Sequence, residues 1–194
     1  MTRAILGAGL LALALLACGG QPATEGPDVA VLAASCDSLT TVFMGALKGE
    51  LMVALEGGDP AQAVAVCKEM APALTAEYSA RPGFRVQRIS DRPRNPGNAP
   101  VGYQADMLAR LAASESPALY EWVYETEGDS SFVFLKAIRM GEPCLACHGP
   151  IEGISSEVAE MLSMEYPNDH ATGYGVGEFR GAVVVTYRPA QDES

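Results

Sequence analysis

Leu119-Tyr120-Glu121-Trp122-Val123-Tyr124-Glu125-Thr126-Glu127-Gly128-Asp129-Ser130-Ser131-Phe132-Val133-Phe134-Leu135-Lys136-Ala137-Ile138-Arg139 reads as two β-strands joined by a turn. Alternation sets Tyr120, Trp122 and Tyr124 on one side of the first run. It sets Phe132, Phe134 and Ile138 on one side of the second, the period of two that an extended chain imposes. Glu127-Gly128-Asp129-Ser130 supplies the turn chemistry of a hairpin. Helical sequence precedes this hairpin and a further strand follows it, so the expected class is α+β, long N-terminal helices followed by a small antiparallel sheet.

Upstream, apolar residues recur at Leu32, Cys36, Leu39, Phe43, Leu47, Leu51 and Leu55, a spacing of three to four that describes one helical face. Gly57-Gly58 ends that helix. Asp59 as N-cap, Pro60 at the first helical position and Gln62 as capping partner open the next. This second helix runs to about Tyr78 with Ala63, Val66, Cys67, Met70 and Leu74 inward, and Pro72 kinks or divides it. Phe84 to Ser90 alternates as a strand, Asp91 to Pro100 is a Pro- and Asn-rich loop, and Gly102 to Ala113 is a helix. Downstream come a helix at about Ser155 to Met164, a loop through Gly173-Tyr174-Gly175, and a buried strand at Arg180 to Tyr187.

Directly after the hairpin stands Cys144-Leu145-Ala146-Cys147-His148, the C-x-x-C-H pattern of a c-type haem attachment site. A bare C-x-x-C is ambiguous among a redox dithiol, half a zinc site and haem. The adjoining histidine points to one covalent haem c, with Cys144 and Cys147 forming thioethers and His148 as proximal iron ligand.

The N-terminus agrees with that chemistry. Arg3, the apolar run Ile5 to Ala17 and the small-residue junction before Cys18 form a signal peptide over residues 1–17, too short for a membrane span. The junction resembles a bacterial lipobox, which makes Cys18 the lipidated first residue, residues 18–28 a Gly- and Pro-rich tether, and 29–190 the functional domain. Ordinary cleavage with an incidental Cys18 is the alternative. The expected location is the bacterial periplasm, held to a membrane through the lipid alone. Covalent haem attachment takes place outside the bacterial cytoplasm, so leader and motif support each other.

Lys and Arg number 13 against 24 Asp and Glu, a formal charge of −11. That surface argues against nucleic acid and anionic membranes as ligands, and favours a basic redox or signalling partner. Of the five cysteines, Cys36 and Cys67 are left over from lipid and haem. They form a disulfide with one another, or one of them ligates iron. Other candidates for a second axial ligand are His170, in the polar loop Pro167-Asn168-Asp169-His170, and Met140, Met161 and Met164. The last two fit the inner face of a short helix and hence core packing. Cys67 on chemistry alone reads as a small buried hydrophobe.

A resemblance bears on this choice. Ala63-Val64-Ala65-Val66-Cys67-Lys68-Glu69-Met70-Ala71-Pro72, Arg88-Ile89-Ser90 with Arg94-Asn95-Pro96-Gly97-Asn98-Ala99-Pro100, the Cys144 to His148 motif, and Gly173-Tyr174 before Gly177-Glu178-Phe179-Arg180-Gly181 resemble a bacterial c-type haem family with a PAS-like fold. Its members stand alone as exported proteins or serve as sensory parts of histidine kinases. The likeness spans roughly Leu39 to Tyr187. It implies axial ligation of iron by His148 and Cys67, and no ligand role for His170. Cys36 matches no motif of that family and keeps the Cys36–Cys67 disulfide open. Arg88 and Arg94 either pair with haem propionates through bidentate hydrogen bonds or brace their loop.

An anionic thiolate lowers the reduction potential and loosens when iron is reduced, leaving room for CO or NO. The expected function is therefore a redox or gas sensor or a low-potential electron carrier, with no catalytic residue. A small peroxidase-like or nitrite-handling haem enzyme needs a distal acid–base group, for which the two histidines leave only His170. A non-haem thiol oxidoreductase would use Cys144 and Cys147 alone.

Overall fold

A computed structural model of the chain describes residues 27–58, 60–126 and 129–189. The expected signal peptide, Cys18, the tether up to residue 26, the Asp59 cap, the side chain of Gln62, and Glu127 and Gly128 of the turn lie outside the described residues.

Helix α1 (Val29–Glu56) opens on Asp28, whose Oδ1 accepts the Ala30 and Val31 N–H groups at 2.7 and 3.3 Å. Mean hydropathy of 1.5 makes α1 long and apolar enough to cross a membrane by composition. Its Leu32, Cys36, Leu39 and Phe43 are nonetheless buried against the sheet. The second helical stretch is divided in three: α2 (Pro60–Ala65), a π-helical turn (Val66–Met70) and α3 (Ala71–Ser79). The Ala71 N–H bonds to the Val66 carbonyl five residues back. Pro72 has no N–H to give, and its ring would crowd the preceding turn of a regular helix, so the widened turn is how the helix passes it. The extra residue rotates the inner face. Ala63, Val64 and Ala71 are buried, whereas Met70, expected inward, is exposed.

The four strands β1 (Phe84–Ile89), β2 (Ala118–Thr126), β3 (Asp129–Arg139) and β4 (Phe179–Tyr187) form one antiparallel sheet in the order β1-β4-β3-β2. The last strand in sequence therefore lies between the first and third, with Phe84 opposite Tyr187 and Phe134 opposite Val185. β3 and β4 are buried on both faces, since Val86, Phe132, Phe134, Val183 and Val185 meet α1 on one side. On the other, Ile89, Val133, Leu135, Ala182 and Val184 meet Met107, Leu108 and Leu111 of α4 (Tyr103–Ala112). The architecture is α+β, as the periodicities predict.

A Cβ on Gly181 would stand 2.3 Å from the Ile89 carbonyl oxygen, and its φ is +143°. Only glycine lets β4 approach β1 there, next to the irregularity between Ile138 and Arg139. β3 leads through a 3-10 turn (Glu142–Cys144) into the one-turn helix α5 (Leu145–His148). Helix α6 (Ser156–Glu165), capped by Ser155, packs Val158 and Leu162 on Val64 of α2.

Candidate cofactor site

A cavity of about 720 Å³ opens between the α2 to α3 stretch and β1, lined among others by Cys67, Arg88, Arg94, His148, Tyr166 and Arg180. Cys67 comes from the π turn, Arg88 from β1 and His148 from α5, some eighty residues away in sequence from Cys67. His148 Nδ1 lies 2.6 Å from the Ala171 carbonyl oxygen. A carbonyl only accepts, so Nδ1 carries the proton and Nε2 keeps its lone pair. Burial, with Arg94 and Arg180 nearby, drives the imidazole pKa down to about 3, so the ring is neutral at ordinary pH. A neutral imidazole with one nitrogen anchored is the form that ligates a metal.

Residues 169–174 form a strap over α5. The Tyr174 N–H donates to the His148 carbonyl at 2.9 Å and the Gly173 N–H to the Gly149 carbonyl at 2.7 Å. Arg94 ties the same segments from below: Nη2 donates to the Cys147 carbonyl at 2.5 Å and the Ala171 carbonyl at 3.4 Å. Its Nε donates to Asp169 Oδ2 at 2.9 Å, and Asp169 Oδ1 accepts the Ala171 N–H at 2.7 Å. Arg94 is 7 % exposed. Of the two roles expected for it, this is the bracing one. A Cβ on Gly149 would lie 2.6 Å from the Leu145 carbonyl oxygen, so the residue after His148 must be glycine for the chain to leave α5 on this path. The Tyr174 ring stands edge-on to the imidazole at 6.4 Å, with the Arg92 guanidinium 3.9 Å above it. The Tyr174 hydroxyl is buried with no hydrogen-bond partner among the described residues.

Cys67, Cys144 and Cys147 are half-buried free thiols. Burial pushes the Cys67 thiol up, and Arg88, Arg94 and Arg180 offset that only in part. Cys36 is also free, fully buried on the inner face of α1 among Phe43, Val86 and Phe132, so the Cys36–Cys67 disulfide is not formed. Arg88 is half-buried, its guanidinium without a hydrogen-bond or carboxylate partner among the described residues; burial lowers its pKa.

The other candidates for a second ligand lie elsewhere. His170 is exposed, Met140 is buried beside Tyr174, and Met161 packs against Val158 and Leu162. Met164, expected on the inner face of its helix, is 61 % exposed, because Val158 and Leu162 take the inward positions of α6. None of the four lines the cavity. Among the described residues no group of three or more His, Cys, Asp or Glu could hold a bare metal ion.

Residues 22–188 match the model of the Tll0287-like family. The chain belongs to that family. A solved structure, the crystal structure of the cyanobacterial haem protein Tll0287, aligns with a TM-score of 0.54 at 26 % identity, covering 66 % of this chain and 74 % of that one. No curated protein matches. The family match takes in both halves of the cavity wall, the π turn with Cys67 and helix α5 with its strap.

Asp169, Arg180, Tyr166, Tyr174 and Arg92 were not legible as site residues. Asp169 meets Arg94 across 75 positions, a pairing that no local spacing announces. Tyr174 and Arg180 belong to motifs that mark their neighbourhood, Gly173-Tyr174 and Gly177-Glu178-Phe179-Arg180-Gly181, without showing what either side chain does.

Proposed function

We propose that this chain is an exported mono-haem c-type cytochrome that works as a redox or gas sensor or as a low-potential electron-transfer protein. Cys144 and Cys147 hold the haem as thioethers, and His148 and Cys67 ligate the iron. The observation that carries this reading is that Cys67 and His148, far apart in sequence, line one cavity whose size lies in the range of cofactor sites, about 300 to 1,000 Å³. When bound, haem supplies reversible one-electron exchange at iron. The chain's own residues do the rest. Ala171 holds the His148 ring by Nδ1 and presents Nε2. Three guanidiniums near Cys67 offset part of the burial that raises its thiol, and Arg88, with no carboxylate partner among the described residues, suits a propionate. As an anionic donor Cys67 would favour ferric over ferrous iron, and a weaker hold on ferrous iron would suit a sensor of redox state, CO or NO. The PAS-like description of the fold, the leader, Cys18 lipidation and periplasmic residence belong to the same proposal.

The thiol oxidoreductase alternative asks for a thiol activated by a lowered pKa. Burial instead raises that of Cys147. A peroxidase-like enzyme would need an acid–base group at the cavity, and His170 is exposed away from it.

Pyridine haemochrome analysis of the exported protein is expected to show haem c, and its absorption and EPR spectra a low-spin thiolate–imidazole iron. Cys67→Ala should abolish the thiolate features and His170→Ala leave them intact. The reverse result would reassign the ligand, and a haem-free protein would end the proposal. A reduced protein that keeps its thiolate and refuses CO would exclude gas sensing.

A further inference from the structure

A second cavity, of about 640 Å³, adjoins the first and shares Ser79, Phe84, Arg85 and Gln87 with it. Arg81, Arg85 and Arg188 line it together with Gln87, Tyr103 and Gln104. Among the described residues no aspartate or glutamate lines either cavity. Arg81 and Arg85 together on one cavity wall give it a local positive potential that attracts an anion.

Two of the five cations that line the first cavity are answered by carboxylates. Lys68 pairs with Glu165, and Arg94 with Asp169. Arg88 and Arg180 have no carboxylate partner among the described residues, Arg180 bonding instead to the Ser90 hydroxyl at 2.6 Å and the Arg92 carbonyl at 3.1 Å. On the reading above, the two propionates of a haem answer these two charges. Exposed Arg85 on the shared wall, and exposed Arg81 beyond it, remain without any carboxylate among the described residues. Arg188 donates from Nε to the Ser131 hydroxyl at 3.0 Å at the same end of the sheet. Gln104 is 5 % exposed and accepts the Val101 N–H on Oε1, and its amide N–H groups have no acceptor among the described residues.

We propose that this second cavity binds a small multivalent anion, a polycarboxylate or a phosphate ester, held by Arg81 and Arg85 with donors from Gln104 and its neighbours. The inference rests on the haem reading only for the charge that the propionates supply. A concave site of this volume suits a small molecule better than the flat contact of a protein partner.

The test is titration calorimetry of the full-length exported protein with citrate and, separately, inorganic phosphate. Saturable binding tighter than about 1 mM is expected for at least one of them, the stronger probe marking the natural class. It should weaken about tenfold or more in Arg81→Gln and in Arg85→Gln. Arg110→Gln should bind like wild type, since Arg110 serves Asp106 and Glu121 on α4 and β2. Both cavity arginines are exposed, so thermal melts of the variants should match wild type. Absence of saturable binding by either probe, or binding to both cavity variants as tight as to wild type, would overturn the proposal. A chain that lacks haem yet binds citrate through Arg81 and Arg85 keeps this inference and loses the previous one; a haem-loaded chain that binds neither probe does the opposite.

Discussion

Arg94 is the residue on which most of the site turns. Its planar fork reaches Asp169, the Cys147 carbonyl and the Ala171 carbonyl together, a geometry that a lysine ammonium cannot reproduce. Both partners of the ion pair are nearly buried, 7 and 12 % exposed. Removing one leaves the other as an uncompensated charge, so Asp169→Ala should lower stability by about 3–5 kcal/mol in urea unfolding. The double change Arg94→Met with Asp169→Leu should cost less than either single change, as a double-mutant cycle will show. Cys36 makes a separate prediction. Burial pushes its thiol pKa up to about 12 from an ordinary 9.0. Between those values the unfolded chain ionises this thiol and the folded chain does not, so the stability it contributes is complete below pH 9 and falls as pH rises toward 12. The advantage of wild type over Cys36→Ala should therefore shrink across that window, measured by denaturant melts at pH 8, 10 and 11.5. A constant difference would place Cys36 in a more solvated setting than the core under α1.

At the scale of elements, the sequence announces what local physics dictates. Period-two alternation places β1, β2 and β3, periodicity of three to four places α1, and Ser155 marks the start of α6, because these patterns are imposed by neighbours a few residues apart. The π turn was legible only as a disturbance at Pro72. The residue it inserts, and hence the burial of Ala71 in place of Met70, depends on how α2 and α3 dock. The strap was invisible for a different reason, since its bonds join residues 169–174 to 94 and 147–149 and leave no periodic trace. The C-x-x-C-H motif and Cys67 were readable as chemistry, but that His148 and Cys67 share a cavity, which Cys144 and Cys147 do not line, is a property of packing. Gly181 gives an element-level prediction. With φ at +143° and a carbonyl oxygen 2.3 Å from where a Cβ would sit, Gly181→Ala must push β4 off β1. A loss of about 2 kcal/mol or more is expected in thermal or urea unfolding, with hydrogen exchange quickened first along β1.

Taken whole, the molecule is an acidic body with its arginines concentrated around the two adjoining cavities. The net charge of −11 alone suggests a basic partner, whereas the cavity mouths present the opposite sign, so approach to the site itself favours anions. The first cavity opens between the α2 to α3 stretch and β1, although Ser79 of α3 hydrogen-bonds Val86, and on the proposed function a covalent group fills it. Cys144→Ser/Cys147→Ser protein, made without attachment, should then melt lower than the mature form. Limited proteolysis should cut it first between residues 60 and 79. Equal melting and equal resistance would mean that the helices hold their place without the group. The order β1-β4-β3-β2 has a consequence in time. The strand that joins the two halves of the sheet is the last to be synthesised, so while residues 144–148 are newly exposed neither the sheet nor the strap over α5 exists. Thiols that end half-buried are open to chemistry during that interval, and the arrival of Phe179–Tyr187 closes it.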